Sequence, residues 1–128
     1  MDIKRLPAEP DAIAPDGSAV RVLLGVRGGG MAHFQLAAGE TSTAVRHRTV
    51  EEVWYFLGGR GRMWRRDADG ERVDDVGPGV SIDIPLGTTF QFRALGDEPL
   101  SAVGATLPPW PGEDEAIVCE GPWRPTVP

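Results

Sequence analysis

Short apolar segments rich in Val, Ile, Phe and Trp recur about every ten residues along this chain, with Gly, Pro or Asp between them. No segment shows the three-to-four-residue apolar period of an amphipathic helix. The 17 glycines and 12 prolines are dispersed between the apolar segments, which is typical of tight turns rather than of a disordered tract. The sequence therefore predicts an all-β domain.

The apolar segments predict ten short strands, a number that favours a sandwich or a barrel. Pairs such as Gly58-Gly59 and Asp69-Gly70 separate several strands, because these residues allow the chain to reverse between antiparallel neighbours. We expect an extended amino-terminal arm over residues 1–18, a barrel over 19–120 and a tail over 121–128. The predicted strands are 19–24, 31–37, 43–48, 52–57, 60–66, 72–75, 80–84, 89–94, 100–106 and 116–120.

Charge and cysteine content exclude several function classes. The net charge is -6, from 19 acidic and 13 basic residues, and it would repel phosphate backbones and anionic lipids, so we expect neither nucleic acid nor a membrane as partner. A single cysteine, Cys119, allows no intramolecular disulfide and no multi-cysteine zinc site. No amino-terminal apolar run has the length of a signal peptide or a membrane span, which predicts a cytoplasmic protein.

Residues 39–59 contain Gly39, His47, Glu52 and Gly59 at a characteristic spacing. The stretch resembles the first motif of the cupin superfamily, in which a glycine is followed by His-x-His, a glutamate and a second glycine. Val45 stands at the position of the first histidine of that motif, and His47 stands at the position of the second. The spacing of the motif is therefore kept while one of its histidines is replaced.

A second stretch, residues 79–94, resembles the second cupin motif. Gly79, Pro85 and Gly87 match it, whereas Phe90 stands at its histidine position and Ala94 at its asparagine position. Together the two motifs imply a double-stranded β-helix, the jelly-roll-like barrel of the cupins, over most of the chain.

The resemblance implies a metal site of three histidines and a glutamate that face into the barrel. Val45 and Phe90 replace two of these ligands, which leaves His47 and Glu52. Two protein ligands seldom hold a divalent ion, so we predict no tightly held metal. Mn, Fe, Ni or Zn remains an alternative if His33 supplies another imidazole or if water or substrate completes the site, although alternation along its strand favours the opposite face for His33.

We predict a small-molecule ligand inside the barrel, in a pocket lined by Val45, His47, Glu52, Trp54, Phe90 and Phe92. His47 and Glu52 are the candidate catalytic residues. One alternative is a metal-dependent isomerase or dioxygenase with an atypical site. Another, by resemblance to some metal-free cupins, is a sugar epimerase or isomerase with His47 as base and Glu52 as its orienting partner. The pair could equally be a structural hydrogen bond, and Trp54 could be a stacking platform or core.

Two further features bear on assembly and access. Tyr55 and Leu57 alternate with the inward residues of their strand and should face outward, which predicts a homodimer formed through this face. The proline-rich segment around Trp110 could cover the mouth of the barrel or brace it.

Overall fold

The computed structural model describes all residues 1–128 and contains eleven strands and one short 3-10 turn, Glu113–Glu115. In chain order the strands are β1 (Ala12–Ile13), β2 (Ala19–Val26), β3 (Gly29–Leu36), β4 (Val45–His47), β5 (Glu51–Gly58), β6 (Arg60–Asp67), β7 (Gly70–Val76), β8 (Ser81–Ile84), β9 (Thr89–Leu95), β10 (Leu100–Leu107) and β11 (Ala116–Val118).

The strands form two antiparallel sheets that face each other. The first sheet has the order β1-β2-β3-β10-β5-β8, and the second has the order β11-β4-β9-β6-β7. Several neighbours in the sheets are distant in sequence, so the chain winds back and forth between the two layers. This arrangement is a double-stranded β-helix and confirms the predicted fold. The structure contains no helix that could span a bilayer.

Side-chain alternation places the core between the sheets. On β5, Glu52, Trp54 and Phe56 are buried, while Val53 and Tyr55 are half-exposed on the opposite side. Because successive strand residues point to opposite faces, the period of two seen in the sequence fixes which residues fill the barrel. The core cluster contains 13 buried apolar residues drawn from both sheets.

The amino-terminal arm, residues 1–18, contains a short strand. Ala12 and Ile13 form β1 and pair with the start of β2, so the first sheet begins before residue 19. Asp16 is buried, and its Oδ1 accepts hydrogen bonds from the backbone N (2.8 Å) and the hydroxyl (2.6 Å) of Ser18. A two-residue strand carries no alternation that could reveal it in the sequence, which is why the pattern indicates a boundary only at residue 18.

The carboxy-terminal tail, residues 121–128, is fastened to the second sheet. The Gln91 side chain donates a hydrogen bond to the Trp123 carbonyl (2.8 Å) and accepts one from the Trp123 backbone N (3.1 Å). The guanidinium of Arg93 lies 5.2 Å from the centre of the Trp123 ring. The tail thereby covers part of the outer surface of β9.

Gly59, the closing glycine of the first motif, is required by the turn between β5 and β6. Its φ is 74°, and a Cβ added there would lie 2.2 Å from the Pro99 carbonyl oxygen. A side chain is excluded at this position both by conformation and by space.

Candidate functional site

The turn between β4 and β5 brings His47 and Glu52 to the same region of the barrel interior. Glu115, in the 3-10 turn before β11, holds this turn in place. Its carboxylate accepts hydrogen bonds from the backbone N of Thr49 (2.7 Å) and of Val50 (3.0 Å). Burial opposes ionisation of Glu115, but these hydrogen bonds outweigh it and keep the pKa of the carboxyl below its usual value. No local pattern in the sequence identifies Glu115.

His47 and Glu52 are close but are not hydrogen-bonded. The Nδ1 of His47 lies 3.8 Å from Oε1 of Glu52, beyond hydrogen-bonding distance, and this nitrogen is buried without a partner. Glu52 instead accepts hydrogen bonds from Trp54 Nε1 (3.2 Å) and from the Thr106 hydroxyl, which comes from β10 directly opposite Glu52. The pair is therefore not a structural hydrogen bond in this structure, and an orienting role of Glu52 stays a prediction.

Burial shifts the pKa values of His47 and Glu52 in opposite directions. It raises the pKa of Glu52 to about 7, although hydrogen bonds from Thr106 and Trp54 oppose the shift. It lowers the pKa of His47 to about 4, although the charge of Glu115 opposes that shift. Between these two values both side chains are mostly uncharged, so the site is a neutral imidazole beside a carboxylic acid.

Aromatic rings surround this pair. The ring centre of His47 lies 5.3 Å from that of Phe90 and 5.1 Å from that of Trp110, both edge to face. Trp54 stacks on Phe34 at 4.8 Å, next to Gly104, where an added Cβ would lie 2.7 Å from the Phe34 ring. The polar pair therefore lies within a largely aromatic interior.

The six residues of the predicted pocket are all buried between the sheets, and Val45 pairs directly with Phe90. Of the six, only Glu52 lines a cavity, which has a volume of about 240 Å³. Its lining consists of Glu51, Glu52, Val53, Asp83, Pro85 and Leu107.

His33 lies elsewhere. It pairs with Arg21 and Val103 on neighbouring strands and occupies the face of β3 opposite Phe34 and Leu36. Burial, and then the charge of Arg21, lower the pKa of His33. His33 therefore cannot add an imidazole to His47 and Glu52.

Trp110 is the contact between the proline-rich segment and the site. Its ring packs against His47 while 41% of the residue remains exposed to solvent. The segment thus covers the imidazole from the side of the solvent.

Comparisons with known proteins agree with this architecture. The cupin domain profile matches residues 32–105. The uncharacterized protein MJ1618 of Methanocaldococcus jannaschii is 32% identical over 128 positions, covering 92% of this chain and 98% of that protein. The chain belongs to the cupin family.

Solved structures share the fold of this cupin. A tryptophan-to-phenylalanine variant of oxalate decarboxylase from Bacillus subtilis superposes with a TM-score of 0.71 at 20% identity, covering 81% of this chain and 29% of that one. CapF, a capsular polysaccharide assembling protein of Staphylococcus aureus, superposes with a TM-score of 0.69 at 17% identity, covering 81% of this chain and 32% of that one. A double-stranded β-helix protein of Klebsiella pneumoniae superposes with a TM-score of 0.66 at 14% identity, covering 93% of this chain and 91% of that one. This cupin thus spans about a third of the first two proteins.

The residues of this cupin do not fit a divalent metal. Oxalate decarboxylase of Bacillus subtilis has Mn(II) centres, but no group of three or more His, Cys, Asp or Glu side chains in this chain is placed to hold an ion. His47 and Glu52 are only two donors, and Val45 and Phe90 supply none. A metal-dependent isomerase or dioxygenase would lack half of the ligand set on which such sites depend.

We therefore expect excess EDTA to leave the melting temperature of untagged protein unchanged, because no metal contributes to the free energy of unfolding. Differential scanning fluorimetry with and without chelator measures this. A fall of about ten degrees or more would contradict the metal-free site, since a site metal stabilises only the folded state.

Proposed function

We propose that this cupin binds a small, uncharged molecule at the mouth of the barrel through His47 and Glu52, without a tightly held metal. The ligand has one polar group, a carbonyl or a hydroxyl, on an otherwise apolar body. The observation that carries the proposal is the Nδ1 of His47, which is buried without a hydrogen-bond partner next to Glu52 and the rings of Phe90 and Trp110.

A buried polar atom without a partner is unfavourable by about 1–3 kcal/mol, and such atoms in folded proteins are usually matched by a protein group, an ordered water or a bound molecule. Glu52 is not that partner, because its Oε1 lies 3.8 Å away. A ligand oxygen near His47 would satisfy the imidazole. The surrounding rings of Phe90 and Trp110 favour an apolar body beside that oxygen.

The two histidines of the chain provide a matched experiment. His33 and His47 are each 7% exposed and each has an unpartnered Nδ1, but His33 lies on the outer side of its sheet. Native mass spectrometry of purified protein, followed by ligand-observed NMR with a library of small ketones, alcohols and phenols, should find ligands for the wild type. His47→Gln should lose them while His33→Gln retains them. Retention by His47→Gln, or equal loss in both variants, would contradict the proposal.

A second candidate function is proton transfer to and from a carbon atom, as in a metal-free isomerase or epimerase. The raised pKa of Glu52, about 7, favours it, because a general base works best when its pKa is near the working pH. Glu52 rather than His47 would then remove and return the proton, since an imidazole with a pKa of about 4 is a weak base. In D2O, a ketone found by the screen would exchange its α-proton for deuterium with the wild type but not with Glu52→Gln.

We also propose that the protein is a homodimer through the outer face of the first sheet. Met31, Val53, Tyr55 and Leu57 lie on this face and are 47–49% exposed, and the strands that carry them neighbour β10 on either side. An apolar patch that spans adjacent strands favours contact with the same patch of a second copy.

The dimer predicts a mass near twice 13.7 kDa by light scattering at micromolar concentration. Tyr55→Glu should produce monomers, because it would bury two carboxylates in the contact. Val73→Glu, at a residue also 49% exposed but on the second sheet, is the matched control and should leave the dimer intact. A wild-type mass of 13.7 kDa would overturn the proposed dimer.

A further inference from the structure

We propose that this protein has a second binding site, for a neutral carbohydrate, in a polar cavity between the β6–β7 hairpin and the loop from β8 to β9. The cavity has a volume of about 580 Å³ and ten lining residues, a size typical of small-molecule sites. Six of them form what we call the polar wall, namely Arg65, Arg66, Glu71, Arg72, Asp83 and Thr88. Neither His47 nor Glu52 lines the cavity, so the site is independent of the function proposed above.

The positive and negative charges of the cavity nearly cancel. Its lining contains three arginines and four acidic residues. Arg65 forms ion pairs with Asp83 (2.8 Å) and with Asp74 (2.9 Å), and Arg72 forms one with Asp74 (2.6 Å). A balanced site gives neither a phosphate nor a metal ion a net electrostatic advantage. The charge pattern therefore favours an uncharged ligand.

Several groups on the polar wall are still able to form hydrogen bonds. Nε of Arg65 and Oγ1 of Thr88 are enclosed and have no hydrogen-bond partner, so a ligand hydroxyl that reached either atom would supply the missing one. Arg66 has no ion pair; its guanidinium lies 5.1 Å from the centre of the Trp64 ring. Glu71 uses Oε2 to accept a hydrogen bond from Trp64 Nε1 (2.7 Å). Donors and acceptors therefore lie side by side on the polar wall.

A ligand that matches the polar wall must donate and accept hydrogen bonds at neighbouring positions. A hydroxyl group does both, and a sugar carries hydroxyls on adjacent carbons. Paired arginine and carboxylate groups can bind adjacent hydroxyls, with the charged partner strengthening each hydrogen bond. An apolar ligand would leave these groups unpartnered, which is unfavourable. The geometry thus points to a mono- or oligosaccharide.

The test is saturation-transfer NMR on the full chain with glucose, galactose, mannose, ribose and maltose, each at millimolar concentration, and with inorganic phosphate as the anionic probe. Amide shift changes in ¹⁵N-labelled protein locate the binding. We expect at least one sugar to bind, with shifts at residues 65–72 and at Thr88.

Thr88→Val removes the hydroxyl at nearly constant volume and should weaken sugar binding about tenfold, whereas Thr88→Ser keeps the hydroxyl and should retain it. Arg66→Met provides a second variant that should also weaken binding with little effect on folding, because Arg66 makes no ion pair and methionine can still pack on the Trp64 ring. Three results would each overturn the proposal: no sugar binding, binding of phosphate alone, or sugar binding that Thr88→Val and Arg66→Met leave unchanged. Loss of sugar binding in Glu52→Gln instead would also overturn it, because the sugar would then occupy the other site.

Discussion

Replacing Val45 and Phe90 together by histidine is expected to create a protein that binds Ni²⁺ or Zn²⁺ tightly and melts at a higher temperature when the metal is present. The two positions pair across β4 and β9, next to His47, so the double variant would place three imidazoles and Glu52 around one point. Three imidazoles with one carboxylate are a favourable ligand set for these ions.

The size of the effect follows from two opposing contributions. Loss of the buried Phe90 ring should destabilise the metal-free variant by about 3–5 kcal/mol, by analogy with large-to-small core substitutions. Metal at about 100 times its dissociation constant would restore about 2.7 kcal/mol. Thermal unfolding with and without Ni²⁺ measures both.

Adding Glu52→Gln to the double variant is the control, and it should abolish most of the gain from metal. Val45→His alone should also show a smaller gain, since it supplies only two imidazoles. A double variant that folds but melts at the same temperature with and without metal would show that Val45, His47, Glu52 and Phe90 do not surround a common centre.

Glu52→Gln in the otherwise native chain is expected to be more stable than the wild type at pH 8 and nearly equal to it at pH 4. The pKa of Glu52 rises from 4.5 to about 7 on folding, so the folded state retains a proton that the unfolded state releases. The resulting stability is fully present below pH 4.5 and is lost as the pH rises to about 7. The loss amounts to roughly 3 kcal/mol, and glutamine, which does not ionise, avoids it.

His47 masks this effect in the wild type. Its pKa falls from 6.5 to about 4 on folding, so it contributes stability above pH 6.5 that is lost as the pH falls toward 4. Between pH 4.5 and 6.5 the two groups change the free energy of unfolding with pH in opposite directions. The difference in this free energy between wild type and Glu52→Gln therefore isolates the contribution of the Glu52 carboxyl. Urea unfolding at pH 4 to 8 measures that difference.

Glu115→Gln provides a control, because its effect on stability should depend on pH in the opposite direction. The pKa of Glu115 is lowered in the folded state, so its contribution is present above the unfolded value and lost in acid. Glu115→Gln should therefore destabilise the protein more at pH 8 than at low pH. A Glu52→Gln variant with the same pH dependence as Glu115→Gln would contradict the neutral state of Glu52.

The fold could be predicted from the sequence because two sets of signals agree. Alternation identified the inward residues of β5, and the motif glycines marked turns such as the one at Gly59, whose φ is positive. The motif spacing also placed Val45 and Phe90 at the ligand positions, and these residues pair across two strands in the structure.

The chemistry of the site could not be predicted in the same way. Thr106 reaches Glu52 only because of the register between β10 and β5, and Glu115 reaches Thr49 across 66 residues of sequence. Register and distant contacts leave no local pattern in a single sequence. The sequence around Arg65 likewise suggests only a surface charge, although the ion pair of Arg65 with Asp83 joins the two sheets.

Burial raises the pKa of Glu52 to about 7, so below that pH we expect a neutral carboxylic acid, whereas a metal-bound carboxylate would be ionised. The most direct measurement of that state is a ¹³C NMR titration of the Glu52 side-chain carboxyl in metal-free protein, assigned by comparison with Glu52→Gln. The midpoint should lie near pH 7. A midpoint at or below the ordinary glutamate value of about 4.3 would mean that the carboxylate is charged in the barrel, and would contradict the neutral site.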